Sequence, residues 1–170
     1  MLRKLLFWGG IMLWGGVAYT QQSFTYMDVQ KAYREGLELF DEKNYLSARG
    51  KFDEIYRQCS TSEACRAEVI MQNIEYYIAV CAVEANTHDA LLLLQQYQQK
   101  YHETDKRRML YFYSGKYYYR NNKYNEAADE LAKVNISDLN NAQLYDYKFM
   151  MGYTRFLKKK LTEAKPFFAA

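Results

Sequence analysis

The sequence predicts an all-α fold, a solenoid of about four stacked helix-turn-helix units, from three observations. First, a glycine is followed twelve residues later by an alanine and four residues after that by a large apolar residue. This happens in Gly36/Ala48/Phe52, Gly115/Ala127/Leu131 and Gly152/Ala164/Phe168. Ile78/Ala90/Leu94 keeps the spacing without the glycine, so the alanines step by 42, 37 and 37 residues, a period that marks stacked supersecondary units. Second, only one proline occurs in 170 residues, and no run alternates apolar and polar positions long enough for a strand. Third, short polar breaks such as Asp41-Glu42-Lys43-Asn44-Tyr45, Arg120-Asn121-Asn122-Lys123-Tyr124 and Lys158-Lys159-Lys160-Leu161 separate the glycine from the alanine.

The apolar pattern places helices near 25–42, 45–58, 63–85, 88–101, 104–121, 124–134, 139–158 and from 161 onward. Thr104 and Ser137 read as N-terminal caps, because a hydroxyl there accepts from a free backbone amide. Pro166 reads as a first-turn residue of the last helix, where a missing amide does least harm. Within each unit the glycine lies midway along the first helix and the alanine early in the second. A glycine inside a helix costs roughly 1 kcal/mol against alanine, so three at equivalent points call for a packing reason: the two helix axes approach there, and the large residue fills the groove beside them. No glycine- or proline-rich linker divides the chain, which reads as one domain over 21–170, with units near 29–58, 71–101, 108–134 and 145–170. The last unit stops inside its second helix without a polar capping helix, which solenoids need for solubility. That reads either as truncation of a longer protein or as a face that a partner covers.

Residues 1–20 have the three regions of a secretory signal: Arg3 and Lys4, the apolar stretch Leu5 to Val17, and Ala18-Tyr19-Thr20 before Gln21. The apolar stretch is shorter than the roughly 20 residues a membrane span needs, so no integral span is expected after cleavage. The chain is therefore expected to be exported, periplasmic or envelope-associated. Of its 23 lysines and arginines, Arg3 and Lys4 lie in the leader. That leaves 21 against 20 acidic residues, a mature net charge of +1. Such a balance carries no concentrated basic face for nucleic acid. Lys158-Lys159-Lys160 reads as a solvated turn.

The triplets, with the apolar positions around them, resemble the tetratricopeptide repeat family over Tyr33 to Ile55, Tyr111 to Val134 and Phe149 to Phe168. The unit from Met71 to Tyr97 matches only through Ala90, Leu94 and Tyr97. More narrowly, the leader followed by these units looks like exported repeat proteins common in Bacteroidetes. The resemblance implies a right-handed α-solenoid and a concave face built from the first helices of the units. Carried over position by position, that face would present Tyr33, Leu37 and Phe40, then Phe112, Lys116, Tyr119 and Arg120, then Phe149, Tyr153 and Phe156. Tyrosine beside arginine or lysine is the composition of binding hot spots.

The chain carries none of the signatures of catalysis. His88 and His102 stand fourteen apart with no partner at ligand spacing, and no phosphate loop, nucleophile elbow or metal-binding helix motif occurs. No metal or cofactor is expected. Cys59 and Cys65 could close a small ring in an oxidising compartment or stand as two thiols; the spacing leaves both open. Cys81, in the run Ile78-Ala79-Val80-Cys81-Ala82-Val83, reads as a small core residue. With 18 tyrosines and nine phenylalanines, the aromatic content exceeds what one helix stripe can bury. The expected function is a non-enzymatic envelope scaffold that holds a peptide segment or protein partner. The alternative is the helical scaffold of a longer envelope enzyme acting on peptidoglycan, with its catalytic domain beyond residue 170. A third reading is self-association through the open C-terminal face.

Overall fold

A computed structural model describes residues 26–61, 68–102 and 104–169. The expected signal segment, 1–20, and Cys65 lie outside the described residues. The described chain forms eight α-helices and no strand. They are α1 (Tyr26–Asp41), α2 (Tyr45–Thr61), α3 (Glu68–Glu84), α4 (Ala90–Lys100), α5 (Asp105–Arg120), α6 (Tyr124–Leu131), α7 (Asn141–Leu157) and α8 (Leu161–Phe168), with a 3-10 turn at Ile136–Asp138 before α7. None of these helices is long and apolar enough to cross a membrane.

Each helix packs on the next in sequence order, the arrangement of an α-solenoid. In addition α3 touches α5, and α5 touches α7. α3, α5 and α7 thus form one continuous row, which α1 joins where Tyr33 and Phe40 meet Tyr77 of α3.

Four hairpins, α1–α2, α3–α4, α5–α6 and α7–α8, turn in the same way. Lys43, Asn86, Asn122 and Lys159 each take a left-handed backbone, with φ of 61°, 54°, 60° and 58°. The following amide reaches back to close the helix end: Asn44 to Leu39, Thr87 to Ala82, Lys123 to Tyr118 and Lys160 to Arg155, all at 2.9–3.0 Å. This pairing satisfies carbonyls that a helix C-terminus otherwise leaves open.

The glycines sit where the sequence pattern places a close approach. A Cβ on Gly36 would come within 2.8 Å of the Phe52 ring, on Gly115 within 2.6 Å of Leu131 Cγ, and on Gly152 within 2.6 Å of Phe168 Cζ. Gly50, outside the pattern, has open space around it. Ala48, Ala90, Ala127 and Ala164 are all buried at the matching points of the second helices.

Apolar burial forms two clusters that share α3. Ile74, Ile78 and Cys81 face Val29, Phe52, Ile55 and Cys59 of α1 and α2. Tyr76, Ala79, Val80 and Val83 face the cluster that runs on through α4, α5 and α7. A helix apolar all round is a helix buried on both sides, and Phe40, Tyr77 and Leu93 bridge the two clusters.

Three local expectations need correction or completion. Thr104 caps α5, accepting from the Arg107 amide at 3.2 Å. Ser137 does not cap α7, since it lies inside the 3-10 turn; Asn140 does, in a reciprocal capping box with Gln143. That box satisfies two free amides at once, which a lone hydroxyl cannot do. Pro166 lies in the second turn of α8 rather than the first, so one helical hydrogen bond is missing near the chain's last helix end. Cys59 is disulfide-bonded, while Cys81 is free and buried. Burial pushes the Cys81 thiol up to about 12.

Candidate binding face

The odd-helix layer is held together by charge where α3, α5 and α7 meet. Lys116 of α5 donates to Glu84 at the end of α3 (2.8 Å) and to Asp146 of α7 (3.0 Å). Arg120, one turn on, donates to the other Glu84 oxygen (3.0 Å) and to the backbone carbonyls of Val83 and Glu84 (3.0 Å each). A guanidinium on the last carbonyls of α3 satisfies groups the helix end leaves free and matches the sign of its dipole. Glu84 is only 9% exposed, so its two cations stand in for the water it has lost. Two cations against two carboxylates leave this patch neutral.

Beside it lies a patch of rings. Tyr119 meets Phe149 and Tyr153 edge-on, at centroid distances of 6.2 and 5.8 Å, and Tyr124 meets Tyr153 at 5.8 Å. Phe149 and Tyr153 stack at 6.2 Å. Burial is the main cause that pushes the Tyr119 hydroxyl above its ordinary value, with Tyr153 and Tyr124 adding to it. Phe149 nevertheless remains 55% exposed and Phe156 52%. A cleft of about 160 Å³ opens between the ion pairs and the rings, lined by Lys116, Tyr119, Arg120, Asp146, Phe149 and Met150.

Of the residues the sequence assigned to a binding face, Lys116, Tyr119, Arg120, Phe149 and Tyr153 come together on α5 and α7. Tyr33 and Phe40 belong to a separate patch on α1. Both are partly buried against Tyr77 of α3, at 6.1 and 5.4 Å. Phe112 is a correction: it is fully buried, packed edge-on against Tyr113. It belongs to the buried cluster that α3, α4, α5 and α7 build together, so it is core and not surface. Leu37 is likewise partly buried against the first cluster.

The sequence reading missed the carboxylates. Glu84 and Asp146 complete the site from 32 residues before and 30 residues after Lys116, and no local spacing announces such partners. It also missed Met150, a buried residue that lines the cleft.

A groove of about 190 Å³ between α2, α3 and α4 is lined by Asp53, Tyr56, Glu75, Ile78, Leu93, Gln96 and Tyr97. Its Glu75 already pairs with Lys100, and Asp53 pairs with Arg49. Among the described residues, no group of three or more His, Cys, Asp or Glu side chains could hold a metal ion. No family model, curated protein or solved structure matches the chain.

Proposed function

We propose that this chain is a non-enzymatic, tetratricopeptide-like repeat scaffold of the cell envelope that holds a peptide segment or protein partner on its odd-helix face. One observation supports the reading above others: Phe149 stands 55% exposed in a patch of rings beside a cleft whose charged groups are already paired. Exposed aromatic groups beside satisfied ion pairs offer binding energy, about 1.5–3 kcal/mol for each ring fully buried. The fixed charges add orientation rather than net attraction. Lys116 and Arg120 then act as positioning residues: Lys116 ties α5 to α3 and α7, Arg120 ties α5 to α3, and the rings are left free to be covered.

Selection of displayed peptides against the immobilised chain tests this. Enriched sequences that carry apolar anchors and lose binding when Phe149 or Tyr153 is changed to serine support the reading. Failure to enrich any sequence, or enriched peptides indifferent to both changes, would overturn it.

A further inference from the structure

Lys106 is a cation without a counter-ion, between helices that elsewhere supply one. It lies half-buried in the first turn of α5 and donates to Oδ1 of Asn73 on α3. Its ammonium stands 4.8 Å from the centre of the Tyr76 ring and 5.5 Å from that of Tyr77. Lys116, further along the same helix, reaches α3 in the same way but finds Glu84 there and Asp146 on α7. Lys106 meets no carboxylate among the described residues, and Asp105, the acid of that first turn, is taken by Arg108. Two ring faces and one neutral amide replace only part of the water the ammonium has lost, and burial pulls it below its ordinary value. Its position adds to the cost, because the first turn of a helix is its positive end.

The amide is oriented by its partner. An ammonium can only donate, so Asn73 turns its oxygen to Lys106 and keeps Nδ2 as a donor. That nitrogen has no hydrogen-bond partner among the described residues. Asn73 also lines a cleft of about 120 Å³ between α1 and α3, whose other walls are Val29, Gln30, Tyr33 and Ile70. Tyr33 in turn meets Tyr77, one of the rings beside the ammonium, at 6.1 Å. Cleft and cation are thus joined twice, through Asn73 and through the Tyr33–Tyr77 pair. An apolar cavity of roughly 150 Å³ holds a benzene ring, so this smaller one suits a branched alkyl group of about four carbons.

These features call for one negative charge beside a short apolar group. Two donors, Nδ2 and the ammonium, match the two oxygens of a carboxylate. A peptide terminus matches less well, since its last residue carries an amide N–H one carbon from the carboxylate. The Asn73 oxygen is already taken, Val29 and Ile70 have no acceptor, and an N–H left unpaired there costs binding.

We propose that Asn73 and Lys106 bind the carboxylate of a free short-chain acid, with its branched alkyl group in the α1–α3 cleft. This site is separate from the α5–α7 cleft and stands whether or not that cleft binds peptide.

The probe is 3-methylbutanoate, titrated by calorimetry into the full chain at low salt. Saturable binding is expected, and 3-methylbutanamide, which has the same shape without the charge, should not bind. Lys106→Met, which keeps the apolar stem, should weaken binding about ten-fold or more. Ile70→Phe, which fills the cleft and leaves both donors in place, should weaken it to a similar extent. Circular dichroism establishes that both variants fold. Acetylation of the unchanged chain, read by mass spectrometry, needs no variant: 3-methylbutanoate should slow the modification of Lys106 and not that of the exposed Lys43. Absent binding, equal binding of the amide, binding unchanged by both variants, or no protection of Lys106 would overturn the proposal. So would N-acetylleucine bound as tightly as 3-methylbutanoate, which would make the ligand a peptide terminus.

Discussion

Replacing each glycine by alanine separates close helix packing from simple helix propensity, because the two effects have opposite signs. In an open helix the change stabilises by about 1 kcal/mol. Gly50, with nothing within 4 Å of a Cβ, should show that gain in full. At Gly115 the new methyl would lie 2.6 Å from Leu131 Cγ and 2.7 Å from Cδ2, with the Ala127 carbonyl oxygen at 3.4 Å. Leu131 is fully buried and has nowhere to swing. Overpacking of this kind costs about 1–3 kcal/mol, so Gly115→Ala should end between neutral and about 2 kcal/mol less stable. Gly36→Ala meets the equally buried Phe52 ring at 2.8 Å and should behave the same way. Gly152→Ala meets Phe168 at 2.6 Å, but that ring is half-exposed and can move, so this variant should resemble Gly50→Ala more closely. For a chain of this size 1 kcal/mol moves Tm by about 2–4 °C. Thermal melts by circular dichroism would then raise Tm for Gly50→Ala and lower it, or leave it unchanged, for Gly115→Ala. Equal gains for the two variants would refute the packing argument.

Lys43→Gly should stabilise by about 1 kcal/mol in urea denaturation, because Lys43 holds a left-handed φ of 61° that glycine adopts freely. Glu84→Gln should destabilise by about 1–3 kcal/mol, since the nearly buried carboxylate carries both Lys116 and Arg120; an unchanged urea midpoint would show that the ion pairs hold nothing. Asp89 accepts two bonds from Arg49, at 2.6 and 3.1 Å, and one from Thr87 at 2.7 Å, and these hold its carboxyl well below the usual range. A depressed carboxylate contributes stability that is complete above the unfolded value of about 4 and is lost as pH falls below it. The stability gap between the parent and Asp89→Asn should therefore shrink in urea titrations below about pH 4; a gap constant with pH would refute the assignment. Cys81, its thiol pushed up to about 12, should resist iodoacetamide in the folded chain and label on denaturation, as mass spectrometry would show.

Helix positions were legible because periodic burial, capping and turn residues are local. The expected helices at 45–58 and 104–121 differ from α2 and α5 by a few residues at most. Where the local rule had competitors it failed: Ser137 gave way to Asn140, which alone is followed three residues later by a glutamine able to close the box. The binding face was half legible. Tyr119, Phe149 and Tyr153 could be grouped by register, but Phe112, at the same register as Phe149, is buried in the cluster that several neighbouring helices build, while Phe149 stands half-exposed.

The sequence by itself determined that the chain is helical, where its hairpins turn, and which glycine meets which large side chain. Each of these follows from spacing along one helix or between two adjacent ones, and a glycine with its alanine twelve residues on is already a statement about a single hairpin. Only the tertiary structure decided which rings are core and which are surface, and which carboxylates neutralise Lys116 and Arg120. Exposure depends on the neighbouring hairpin. Ion pairing across 30 or more residues depends on how α3, α5 and α7 sit side by side, and neither is written within reach of the residue concerned.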